Sequence, residues 1–385
     1  MRRVWSWGLY GCAALLAITA MGAAWKWDDI QRLLAVNSLF AEDKIVDNFS
    51  GMNRLFFHAE LPRGSGSVSL LPENPRPLPD LSEWLQQRAL TGIVVLKSGE
   101  IAYENYFLGT KPDDRRISWS VAKSYLSALL GILLAEGALG AIDEPVTKYA
   151  PALIGTAYDG ASIRNVLQMA SGVRFNEDYL DFNSDINRMG RVLALGGSMN
   201  DFAASLSVRE RAPGEAWQYV SIDTHVLGMV IEGATGRSVL ELMAEKLIQP
   251  MGLEATPYYV TDGYKTAFVL GGLNMPTRDY ARFGQMFLQD GRWNGQQIVP
   301  AEWIAASTVA SAPTAAGATR YGYQWWIAAD APEGEFFARG VYGQYIYINR
   351  AAEVVIAVNA ADRRFREAGS FQQNLEMFRR IAAAL

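Results

Sequence analysis

The chain has 385 residues, half of them hydrophobic, with a formal net charge of -5, enough for one large domain or two smaller ones with a real core. Mild acidity argues against nucleic-acid binding, which calls for a basic patch. A single cysteine, Cys12, excludes an intramolecular disulfide, and two distant histidines with no Cys cluster leave no pattern for a zinc site.

In chain order, Arg2 and Arg3 precede an uncharged run, Val4 to Trp25, long enough to span a bilayer and flanked by tryptophans. Residues 1–27 therefore read as a membrane anchor or a cleaved signal peptide, which places the rest in the cell envelope, on the extracytoplasmic or periplasmic side. Residues 28–89 form an N-terminal extension and linker. Within them Phe56-Phe57 and Val68 to Leu71 are candidates to pack on the main domain, and the four prolines between Pro72 and Pro79 read as a stiff linker or an ordered surface loop.

The main domain, 90–385, opens with a predicted hairpin: Gly92 to Lys97 and Ile101 to Phe107 are β-rich, with Ser98-Gly99 as the turn. A Leu- and Ala-rich run without proline, Leu126 to Leu139, predicts a buried helix. Helical, loop-rich sequence follows, including Ile163 to Met169 and Thr224 to Glu232. Tyr321 to Ala328, Val341 to Asn349 and Glu353 to Asn359 predict strands, and Phe371 to Leu385 a closing helix. Strands at both ends around a helical middle predict an α+β fold, one antiparallel sheet with a helical lobe.

Chemistry concentrates where that first helix starts. Of eight lysines, only Lys123 has a serine three residues before it, Ser120. Residues three apart share a helix face. A lysine among apolar neighbours loses hydration, its pKa falls, and a neutral amine beside a hydroxyl is a base beside a nucleophile. An exposed lysine on an amphipathic helix is the plainer alternative. Tyr219, in Trp217-Gln218-Tyr219-Val220-Ser221, offers a phenol to relay a proton, with Ser221 to orient it, or else a half-buried aromatic at a helix start. Gly340-Val341-Tyr342-Gly343-Gln344 offers a close backbone approach for oxyanion donors, or a simple turn into a strand. His225, in an apolar helix with no Gly-x-Ser-x-Gly elbow anywhere, reads as structural rather than as a rival base.

Ser120-Val-Ala-Lys123, Tyr219-Val-Ser221 and Gly340-Val-Tyr-Gly343-Gln344, in that order, resemble the motifs of the β-lactamase and penicillin-binding-protein superfamily of serine hydrolases, above all its esterase and 6-aminohexanoate-dimer (nylon-oligomer) hydrolase branch. Ile163 to Gly172, Thr277 to Gly284 and Tyr321 to Trp326 add to the likeness. The resemblance implies a β-lactamase/transpeptidase-like fold and no cofactor or metal. It also implies cleavage of a small amide or ester through an acyl-enzyme, with Ser120 as nucleophile, Lys123 as general base and Tyr219 as proton relay. The backbone N–H groups of Ser120 and Val341 would form the oxyanion hole, with Tyr179, Ser221, Gly340 and Gly343 near the substrate. Asp181 and Asp185 read as solvated loop carboxylates or as partners for a substrate amine. Ser221 stands where many members have Asn, and no Lys/His-Thr/Ser-Gly triplet lies near Gly340. A D-Ala-D-Ala carboxypeptidase or β-lactamase, or a silent envelope binding protein, are the alternatives.

Overall fold

The structure is a computed structural model and describes residues 27–385. The candidate membrane segment, Val4 to Trp25, lies outside the described residues; among those described, no helix is long and apolar enough to cross a membrane.

Seven strands form the main sheet: β1 (Leu90–Lys97), β2 (Glu100–Tyr106), β3 (Arg320–Tyr321), β4 (Trp326–Ile327), β5 (Glu335–Gly340), β6 (Gln344–Asn349) and β7 (Val354–Ala360). Their order is β2-β1-β7-β6-β5-β4-β3, and every pairing is antiparallel. The predicted hairpin is β1–β2. The central strands read as unbroken apolar runs because both faces are covered. Ile93 and Val95 point to one core, Val94 and Leu96 to the other. The helices that matter here are α1 (Trp27–Ser38), α2 (Ala122–Ala135), α3 (Ile163–Leu167), α4 (Asp185–Ala194), α5 (Ser221–Thr235), α6 (Thr277–Leu288) and α7 (Ser370–Ala384). Helix α7 packs Leu375, Phe378 and Ile381 against the first face, while α6 lies on β1, β6 and β7 from the other.

Two predicted strands are shorter than expected. Tyr321 to Ala328 breaks into β3 and β4 around a turn in which Gln324 adopts φ 65°. The buried Gln324 side chain accepts from Thr224 Oγ1 (2.8 Å) and donates to Leu167 O (2.8 Å), and its carbonyl accepts from Ser124 Oγ (2.8 Å). One residue thereby ties α2, α3 and α5 together. The Val341 to Asn349 strand starts at Gln344, because Val341–Gly343 form a tight turn with Tyr342 at φ 60°.

A second, four-stranded sheet joins the N-terminal extension to the middle of the chain. His58–Glu60 pairs with Tyr258–Val260, which pairs with Leu273–Met275, which pairs with Arg116–Ile117. Leu39, Ile45, Phe49, Met52, Phe56 and Leu61 belong to the same core as α2. The proline-rich stretch lies along β2, with Ile101 N donating to Pro72 O (2.7 Å) and Arg76 N to Ala102 O (2.9 Å). Residues 39–76 are thus woven into the main domain rather than standing clear of it.

Candidate active site

The small sheet ends at Arg116–Ile117, and the chain turns from there, beside β5 and β6 of the main sheet, into α2. The Arg116 guanidinium, buried in the core, donates to Val46 O (2.6 Å) and Ser50 Oγ (2.7 Å). Burial lowers its pKa to about 10. The Tyr280 hydroxyl donates to Arg116 O (2.7 Å), and Ser118 N donates to Leu273 O (2.8 Å). Trp119 adopts φ 42°, in the left-handed region that a bulky residue enters only at a cost of about 1–2 kcal/mol. Its ring packs on Phe40 and Phe49 at 5.8 and 5.5 Å, contacts that hold it there. The turn presents Ser120 at the entrance to α2, where backbone N–H groups are free of helical partners.

Lys123 is buried, with 1% of its surface exposed, one helical turn after Ser120. Its Nζ lies 2.8 Å from Leu270 O and 5.5 Å from the Tyr219 ring centroid. Burial lowers its pKa to about 7, against the opposing pull of Glu177 and Asp223. A neutral amine there donates one N–H to the carbonyl and keeps its lone pair for another partner. Burial, and then the charge on Glu177, push the Tyr219 phenol up, while the Ser120 and Ser221 hydroxyls favour its ionised form. The Tyr219 ring stacks on Trp326 at 5.3 Å.

Ser120, Ser221, Tyr179 and Val341 line one cavity of about 130 Å³. Gly340, at the end of β5, packs against the serine backbone: a Cβ there would sit 2.7 Å from Ser118 O and 3.1 Å from Ser120 N, so only glycine fits. Gly343 does not line the cavity. Its φ of 86° closes the turn into β6, and a Cβ there would sit 2.9 Å from Ala360 Cβ. Asp181 and Asp185 shape their own loop: they accept from Asn183 N and Asn176 N (both 2.9 Å), and Asp185 pairs with Arg188. His225 is buried in α5 with its Nε2 2.8 Å from Asn200 Oδ1, and burial lowers its pKa to about 4.

Glu177 is the residue that motif reasoning passed over. It accepts from Ser221 N and from the hydroxyls of Ser221 and Tyr179 (both 3.2 Å). Burial raises its pKa, while the Ser221 bonds and Lys123 pull it back. Its signal was its place two residues before Tyr179. The cavity wall from α1 to Phe56 was likewise missed, since nothing local marks residues so far from Ser120 as its neighbours.

Over residues 81–371 the chain matches the beta-lactamase family. It is 30% identical over 293 residues to the 6-aminohexanoate-dimer hydrolase of Paenarthrobacter ureafaciens, covering 72% of this chain and 74% of that one. It is also 30% identical over 193 residues to the esterase EstB of Burkholderia gladioli, covering 44% and 47%. Among solved structures, a Bacillus anthracis protein provisionally assigned as a 6-aminohexanoate-dimer hydrolase shares the fold with a TM-score of 0.80 at 24% identity, over 89% of this chain and 95% of that one. The match over three quarters of its length, and the fold that goes with it, make the chain a member of the beta-lactamase family of serine hydrolases, similar within it to the 6-aminohexanoate-dimer hydrolases and esterases.

Proposed function

We propose that the protein is a cofactor-independent serine hydrolase that cleaves an amide or ester through an acyl-enzyme on Ser120. The observation that carries this reading is the buried Lys123, with a pKa of about 7, one turn from Ser120 and against the Tyr219 ring. Neutral Lys123 takes the Ser120 proton as Oγ bonds to the substrate carbonyl carbon. Negative charge on the carbonyl oxygen meets the N–H groups of Ser120 and Val341, a reading supported by the close packing of Gly340, the residue before Val341, against Ser120 N. The tetrahedral intermediate collapses, and the amine or alkoxide leaves with a proton passed through Tyr219 from the Lys123 ammonium. Water then attacks the ester on Ser120, giving up a proton to the same relay; the bond from the acyl carbon to Ser120 Oγ breaks, Oγ takes that proton back, and the carboxylic acid departs. Glu177 fixes Ser221 and Tyr179 beside the reacting centre and balances the charge that arrives on Lys123.

The reading includes export, supported by Arg2-Arg3 before the uncharged run to Trp25. Cell fractionation that finds the mature protein in the cytoplasm would remove that part. The activity is tested with a panel of activated esters and amides on wild type beside Ser120→Ala. Turnover that disappears with the hydroxyl supports the proposal. Equal rates from both proteins would leave a binding protein, and stable labelling by a penicillin would move the assignment to a β-lactam-recognising enzyme.

A further inference from the structure

The cavity at Ser120 is apolar well beyond what positioning a carbonyl requires. Leu39, Phe40, Met52, Ile186, Met189 and Leu193 line it, and none of its lining residues is charged. Its volume, about 130 Å³, is close to that of a cavity of roughly 150 Å³ that stays dry and binds benzene. Tyr219 does not line it. If Tyr219 passes the proton to the leaving group, the leaving group sits on the Tyr219 side, and the cavity receives the other substituent of the carbonyl.

We propose that this cavity is the acyl subsite and that it takes an uncharged, apolar acyl chain of about five or six carbons. The inference rests on the hydrolase reading above and adds the substrate class. Leu39, Phe40 and Met52 lie upstream of the family-matched region, which begins at residue 81. Part of the apolar wall is therefore supplied by a segment outside the region that carries the family likeness. A chain of the same length ending in an ammonium would lose its hydration there and find no carboxylate in the lining.

The test is kcat/KM for p-nitrophenyl acetate, butyrate, hexanoate, decanoate and 6-aminohexanoate, which share one leaving group. From acetate to hexanoate the value rises by up to about fourfold per methylene, the gain from burying a CH2 group, then falls at decanoate. The 6-aminohexanoate ester lies at least about a hundredfold below hexanoate. Gly190, in α4, lines the cavity, and a Cβ there meets nothing within 4 Å, so a larger residue has room without moving the backbone. Gly190→Phe fills the space and lowers the hexanoate-to-acetate ratio at least about tenfold, the loss of some two buried methylenes. Equal values for acetate and hexanoate, or for hexanoate and its ω-amino analogue, overturn the assignment when Ser120 is still labelled by a fluorophosphonate. Absence of both labelling and turnover brings down the hydrolase reading itself, and this inference with it.

Discussion

The protonation of Lys123 gives the sharpest handle on the chemistry. A lysine in water titrates near 10.4, so about 0.04% of it is neutral at pH 7. With its pKa lowered to about 7 by burial, about half of Lys123 is neutral there, a gain in base of about a thousandfold. The sign follows: the active form is the deprotonated one, so acylation is lost as pH falls through 7 and saturates above it. From about pH 8 to about pH 6 the neutral fraction drops from roughly nine tenths to one tenth, and the acylation rate falls about tenfold. The assay is the pre-steady-state burst of p-nitrophenol from an activated ester across this range at constant ionic strength. Lys123→Arg, whose guanidinium stays charged, lowers the burst rate at least about a thousandfold at every pH. A burst rate flat between pH 6 and 8, or the same acid limb surviving in Lys123→Arg, would refute the assignment of Lys123 as base.

Three other outcomes follow from the same packing. Because the charge on Glu177 raises the Lys123 pKa, Glu177→Gln shifts the acid limb of the burst to lower pH; a limb that stays in place or moves up contradicts the coupling. Gly340→Ala drives a methyl group onto Ser118 O and Ser120 N, so kcat falls by about a hundredfold if the oxyanion donors separate, as loss of one such donor does elsewhere; near-wild-type kcat in a folded variant would show that these donors do no such work. Arg282 and Asp279 are both fully buried and pair at 2.7 Å, and Arg282 also reaches Glu254 at 2.6 Å. Asp279→Asn leaves the guanidinium with one carboxylate partner and lowers stability by about 3 kcal/mol in urea or thermal unfolding.

The sequence made the local features legible and left the long-range ones hidden. The β1–β2 hairpin could be read because its strands are adjacent and Ser98-Gly99 supplies the turn. Helix α2 could be read from its composition, and Ser120 with Lys123 from a spacing that depends on one helical turn. The Gln324 turn could not, since its left-handed conformation answers to hydrogen bonds from three separate helices and to no local signal. The same holds for the wall built by Leu39, Phe40 and Met52. Phe40 reaches the site by packing on Trp119 and Tyr342, about 80 and 300 positions away in the chain, and Leu39 and Met52 line the same cavity; over such separations periodicity carries no information. Glu177 sits between these cases. Its loop stood out, but a carboxylate in a polar stretch reads as solvated until burial and the Ser221 contacts are known.

Peptide mapping by mass spectrometry after brief exposure of the folded protein to a fluorophosphonate speaks most directly to whether Ser120 is a nucleophile. The account predicts a single phosphonyl adduct on the peptide carrying Ser120, forming faster above pH 7 than below it and absent from the denatured protein. An adduct on another serine, or none on folded wild type under conditions that label a control hydrolase, would contradict it.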